Sequence, residues 1–241
     1  MLNAVLAHPE AARQIAPGLY SVLPESDAAP YDRKAAFYDA VVGRPIYHRL
    51  VWGTSFDAHA RFARAAFDDA AACDGCFAEI GCGSLLFTAP MYRDSHARSV
   101  ILVDRSIGML RRGLKRLGAD REEPCDGVLA LHADAAALPF RPAIFSTVLC
   151  LALVHVPCDA PAILTECRRI LAPDRGRLFV SSLVRSGRWA DKYMSLLHQA
   201  GELAAPRTVN EVHEMITRAH GIVESTKLEG NMCFLIVRYP G

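Results

Sequence analysis

The sequence predicts an α/β protein: a mostly parallel sheet with helices on both faces, ending in an antiparallel hairpin. Three observations carry this. From Cys76 onward, short apolar runs alternate with amphipathic stretches, the pattern of successive βαβ units. The first run closes on Glu79-Ile80-Gly81-Cys82-Gly83, and Asp104 and Asp134 close the next two, so acids recur at consecutive strand tips. The last two runs, Ile222 to Lys227 and Cys233 to Tyr239, enclose the turn signal Glu229-Gly230-Asn231. A link that short suits a hairpin and cannot hold a crossover.

Residues 1–30 are rich in Ala and Pro with weak periodicity and read as a short helix and a loose lead-in. An apolar stripe through Ala35, Phe37, Tyr38, Val41 and Val42 predicts a helix that Pro45 interrupts, and a second helix runs through Phe56 to Asp69. Residues 1–72 are therefore expected to form an N-terminal helical cap or lead-in, and 73–241 the core of one compact domain. Core strands are expected over 77–81, 99–104, 128–132, 144–151 and 177–183, with a helix starting near Leu85. Ser106 is placed to N-cap a helix carrying Met109, Leu110 and Leu114. A helix over 161–171 stops at Pro173-Asp174-Arg175-Gly176, and another over 210–219 takes Gly221 as its C-cap.

The 241 residues are 51 % hydrophobic, enough for a sizeable core. A net charge of +1 removes the general electrostatic attraction expected of a nucleic-acid binder, and no nucleic-acid partner is expected. The most apolar run, Val148 to Val156, is too short to cross a bilayer. His8, Glu10 and Arg13 break the N-terminus before any signal-like block forms. A cytoplasmic protein without membrane insertion is expected. Of the eight cysteines, Cys150, Cys167 and Cys233 lie in apolar runs and read as small buried hydrophobes. Cys73 and Cys76 form a lone Cys-x-x-Cys with no second pair to match it, so no metal site is expected.

The glycines of Glu79-x-Gly81-x-Gly83 let a ligand approach the backbone, and an acid two residues before them can receive a cationic amine. A dinucleotide fingerprint would want a third small residue at Leu86, which is missing. Asp104, one strand over, can accept from ribose hydroxyls, and Asp134 from the exocyclic amine of adenine. With Val103-Asp104-Arg105-Ser106, Ala133-Asp134-Ala135, Leu138-Pro139-Phe140 and Glu166-Cys167-Arg168-Arg169-Ile170-Leu171, the chain resembles the class I S-adenosylmethionine-dependent methyltransferases. Within that class it is most similar to the ubiquinone/menaquinone-biosynthesis-like, type 11 group.

The resemblance implies a Rossmann-like, seven-stranded sheet and S-adenosylmethionine as cofactor, leaving S-adenosylhomocysteine as product. Glu79, Gly81, Cys82 and Gly83 would lie by the methionine part, Asp104 on the ribose, and Arg105 and Met109 along the adenine. Asp134 and Ala135 would read the adenine edge, Cys150 and Leu151 would face the methionine amine, and Tyr38 would touch the cofactor from the cap. Leu85 stands where the family's loop has a small residue, and Ser146 where its fourth strand has an acid. His155, after the fourth strand, is the candidate base or acceptor contact. Tyr31, Tyr38, Tyr47, His48 and Trp52 are candidates to line a pocket for a small, partly apolar methyl acceptor. A monomer or homodimer is expected. A second reading keeps the fold and cofactor site without turnover, as a binding or regulatory protein.

Overall fold

The computed structural model describes residues 2–24, 42–73, 75–93, 99–118, 127–187 and 189–240. Its strands are β1 (Arg13–Ala16), β2 (Leu19–Ser21), β3 (Cys76–Ile80), β4 (Val100–Asp104), β5 (Val128–His132), β6 (Phe145–Cys150), β7 (Arg177–Leu183), β8 (Ile222–Glu229) and β9 (Met232–Arg238). The longer helices are α1 (Phe56–Ala72), α2 (Ala89–Arg93), α3 (Ile107–Arg116), α4 (Ala160–Ile170), α5 (Ala190–Gln199) and α6 (Val209–Arg218). One sheet runs β1-β2-β5-β4-β3-β6-β7-β9-β8. Strands β2, β5, β4, β3, β6 and β7 are parallel, while β9 runs against both β7 and β8.

Both faces of the parallel strands are buried, as helices on both sides require. Phe77, Val100, Leu102 and Leu149 pack with Ala63, Phe67 and Leu110 on one face. Ala78, Ile80, Ile101, Val103 and Val148 pack with Ile163, Leu164 and Ile216 on the other. Alternate residues of each strand thus serve opposite cores, which fixes register, because a one-residue slip would exchange the two sets. Caps define the helices: Ser55 accepts from the Ala58 N–H, Ser106 from Met109 and Asp159 from Ala162. Thr208 and Glu211 form a reciprocal capping box on α6.

Three details depart from the sequence reading. The seven expected strands are joined by two more, because the lead-in contains the hairpin β1–β2, which adds to the edge at β5. Its signal is Pro17-Gly18, with Gly18 at φ 70° as a tight turn requires. Leu85 takes φ 56°, a left-handed residue that delays the helix after β3 until Ala89. At the end of α6 the left-handed residue is His220 (φ 63°), not Gly221. Gly221 serves close packing instead, since a Cβ there would lie 2.7 Å from Ile216 Cγ2 and 2.8 Å from Val237 Cγ1.

The β8–β9 turn also anchors the segment before α1. The Asn231 N–H donates to the Trp52 carbonyl (2.7 Å), and the Ser55 N–H donates to Glu229 Oε1 (2.7 Å). Asn231 is fully buried, its Nδ2 donating to the Val184 carbonyl and Asp191 Oδ1. A Cβ on Gly230, at φ 62°, would overlap the Trp52 carbonyl oxygen at 2.0 Å. Gly230→Ala is expected to cost about 1–3 kcal/mol through backbone displacement and strain. Thermal unfolding at wild-type temperature would contradict this packing.

Candidate functional site

The sheet reverses its strand order at β3, where β4 and β5 continue to one side and β6 and β7 to the other. Ligands of open α/β sheets bind at the carboxyl ends beside such a point. A cavity of about 470 Å³ lies there, lined among others by Glu79, Gly83, Asp104, Asp134 and Leu151.

Glu79 is the penultimate residue of β3 and is 2 % exposed. The Tyr92 O–H donates to its Oε2 at 2.6 Å. Burial pushes its carboxyl up to about 8, Asp104 adding to the rise against the hydrogen bond from Tyr92. The chain then turns across β4: the Gly81 and Cys82 N–H groups both donate to the Val103 carbonyl (2.8 and 3.0 Å). Gly81 is at φ 71°, and a Cβ there would lie 2.7 Å from Leu153. Gly83, at φ 55°, has open space where its Cβ would be. The loop thus presents bare backbone to the cavity. The Cys82 thiol is raised well above its usual range, first by burial and then by the carboxylates of Asp104 and Glu79, so it stays a neutral thiol.

Asp104 ends β4 and organises the loop. Its Oδ2 accepts from the Gly83 N–H (2.7 Å) and its Oδ1 from the Ser106 N–H (2.8 Å). Both carboxylate oxygens are thereby fixed at the mouth of the glycine loop. Arg105 Nη1 lies 3.2 Å from Asp134 Oδ2, and Asp134 Oδ1 accepts from the Ala136 N–H. His132, at the end of β5, spans Ser21 Oγ (2.8 Å) and the Arg105 carbonyl (3.0 Å). The N-terminal hairpin is thereby tied to the loop beside Asp104.

Glu79, Gly81, Cys82, Gly83, Asp104, Arg105, Met109, Asp134, Ala135 and Leu151 all line the cavity. Tyr38 lies outside the described residues. Two expected residues fall elsewhere. Cys150 is 1 % exposed and faces the core, its sulfur 3.8 Å from Cys167 Sγ. Strand alternation explains this, because its neighbour Leu151 takes the cavity side. His155 does not line the cavity. Its Nδ1 accepts from the Leu183 N–H (3.0 Å) and its carbonyl from the Ala204 N–H (2.9 Å). Burial, with His59 and Arg207 nearby, lowers its pKa to about 3, so it is neutral and a weak base. Missed by the sequence reading were Phe87 and Thr88, the stretch Val156–Asp159, and Gly201-Glu202 after α5. No motif marks them; loop folding brings them to the rim.

The two departures are also explained. Leu85 is 1 % exposed and lies outside the cavity lining. Gly113 of α3 accommodates it, since a Cβ there would lie 2.9 Å from Leu85 Cγ. Ser146 sits at the opposite end of β6, donating to the Cys76 carbonyl (3.1 Å), and does not touch the site.

Residues 77–174 match the family described as "methyltransferase domain". No curated protein matches the chain. Solved structures share the fold. One is a Thermotoga maritima S-adenosylmethionine-dependent methyltransferase, described as a possible histamine N-methyltransferase. It has TM-score 0.58 and 19 % identity over 86 % of this chain and 97 % of its own. Another is an S-adenosylmethionine-dependent methyltransferase from Mesorhizobium loti, with TM-score 0.57 and 18 % identity over 76 % of this chain and 100 % of its own. A third is a Haemonchus contortus phosphoethanolamine N-methyltransferase, solved with phosphomonomethylethanolamine and S-adenosylhomocysteine. It has TM-score 0.62 and 14 % identity over 87 % of this chain and 58 % of its own. Residues 77–174, the stretch carrying Glu79, Asp104 and Asp134, thus match the methyltransferase-domain family, and the fold of the chain is the one that these S-adenosylmethionine-dependent methyltransferases share.

Proposed function

We propose that the protein transfers the methyl group of S-adenosylmethionine to a small, partly apolar acceptor by in-line displacement. The observation that carries this is the row of acids at three adjacent strand tips along one cavity: Glu79, Asp104 and Asp134. Their spacing suits a ligand with a cationic amine, a ribose and an adenine in sequence. Glu79 meets the amine, Asp104 the ribose hydroxyls, and Asp134, held by Arg105, the adenine edge. The open backbone at Gly83 fits a ligand chain lying against it. Met109, Ala135 and Leu151 supply apolar walls that exclude water. When bound, S-adenosylmethionine supplies a methyl group already activated on a sulfonium, so the protein's work is chiefly positioning. The neutral, hydrogen-bonded His155 argues for positioning rather than strong base chemistry at that residue.

Calorimetric titration with S-adenosylmethionine, S-adenosylhomocysteine and NADH tests this. Micromolar binding of the sulfur nucleosides without NADH binding is expected. NADH binding in their place would overturn the reading. Nucleoside binding without methyl consumption on any acceptor of a broad small-molecule panel would favour the non-catalytic alternative.

A further inference from the structure

Next to the cofactor cavity lies a group of buried polar atoms that the proposed chemistry does not use. His59 on α1 is 1 % exposed, and neither ring nitrogen has a partner in hydrogen-bond geometry among the described residues. His48 is 4 % exposed. Its Nε2 lies 2.8 Å from the Val42 carbonyl and so carries the hydrogen, leaving Nδ1 a bare, buried acceptor. The two rings meet edge to face, 5.3 Å apart, among Phe56, Phe87 and Phe234. Burial lowers the pKa of both, that of His59 to about 4 with His48 contributing, against the Ser55 carbonyl and Glu229. Both rings are therefore neutral, and each keeps a lone pair.

Buried lone pairs without a donor are costly and rare. Two such rings, their centroids 5.3 Å apart in an aromatic cage with no donor to those lone pairs among the described residues, point to a ligand that supplies one. The route is visible. Phe87 stacks on His59 (4.4 Å between centroids, 14° between planes) and also lines the cofactor cavity. One ring therefore separates the histidine pair from the methyl-donor site.

We propose that His59 and His48 form the polar end of the acceptor site, taking a flat, uncharged molecule that donates an O–H to these rings, as a phenol does. Phe87 yields its stacking position on His59 to the acceptor ring. An ammonium group is disfavoured, because the nearby carboxylate of Glu229 is already engaged by the Ser55 N–H and the Thr54 hydroxyl. This inference rests on the methyltransferase reading above.

The test uses the full chain, labelled with ¹⁵N-histidine and saturated with S-adenosylhomocysteine, titrated with phenol and with anisole, its methyl ether. Phenol is expected to bind at least about fivefold more tightly than anisole, the worth of one neutral hydrogen bond, and to move the ring ¹⁵N signals of His59 and His48. His59→Phe, which keeps the aromatic volume, is expected to abolish the preference. Equal binding of the two probes, or unmoved histidine signals, would overturn the proposal while S-adenosylhomocysteine still binds. The wild-type comparison stands even if the variant does not fold. Failure of S-adenosylhomocysteine to bind the wild type would instead overturn the underlying reading, and this proposal with it.

Discussion

Asp104→Ala is expected to weaken S-adenosylhomocysteine binding by about 3 kcal/mol or more, roughly 150-fold, because two losses coincide. The first is the charged acceptor proposed for the ribose hydroxyls. The second is internal: Asp104 holds the N–H groups of Gly83 and Ser106, so without it the glycine loop and the start of α3 lose their common anchor. Preorganisation then falls along with contact. Asp104→Asn keeps one acceptor oxygen but loses the charge, and should fall between wild type and the alanine variant. Calorimetry on both, with circular dichroism to confirm folding, separates the contributions. Alanine-variant affinity within about threefold of wild type would remove Asp104 from the site, since even a single lost charged hydrogen bond costs more.

The second large effect concerns Glu79 and pH. With its carboxyl raised to about 8, the ligand-free protein holds Glu79 protonated at neutral pH. A cationic amine placed against it favours the charged form, so ligand binding near pH 7 should release close to one proton, and well above pH 8 none. Affinity should therefore rise with pH up to about 8 and level off. The stability of the free protein follows the opposite sign. A carboxyl raised on folding from 4.5 contributes stability that is fully present below 4.5 and lost as pH rises through about 8. Glu79→Gln should abolish both dependences and bind more weakly. Binding heats in buffers of different ionisation enthalpy read the proton directly. Buffer-independent heats at pH 7 would show that Glu79 is already charged or does not meet the amine.

Much of this site was legible in the sequence, because sheet geometry sets it. Apolar runs bounded by glycine and proline fix where strands end, and parallel strands present their ends along one edge. Three acids at run ends must then face one crevice, as Glu79, Asp104 and Asp134 do. What was illegible depends on how loops return. Nothing near Gly201 or Glu202 announces a cavity wall, because their place follows from the path of the chain after α5. Cys150 and Leu151 were both expected at the cavity, but alternation at the strand end turns Cys150 to the core and leaves Leu151 on the lining. The β1 strand carries Arg13 and Gln14 at an exposed edge, so no hydrophobic period betrayed it, and only Pro17-Gly18 marked its turn. The histidine pair was half visible. His48 stood in an aromatic stripe, but its bare nitrogen depends on the Val42 carbonyl, a contact that spacing does not foretell.

The packing of Leu85 against Gly113 has a wider consequence. The room needed where a glycine loop meets the next helix is a property of the interface, not of either position. Here the bulk sits on the loop and the vacancy on the helix, the reverse of the arrangement the loop's own pattern implies. Leu85, judged alone, looks like damage to the site, and Gly113 looks like a weak point in α3. Taken together they are one fitted joint, and substitutions at the two positions should couple rather than add. The specificity of such a loop is therefore written across two segments of chain 28 residues apart, Leu85 and Gly113, and a pattern confined to either segment captures half of it.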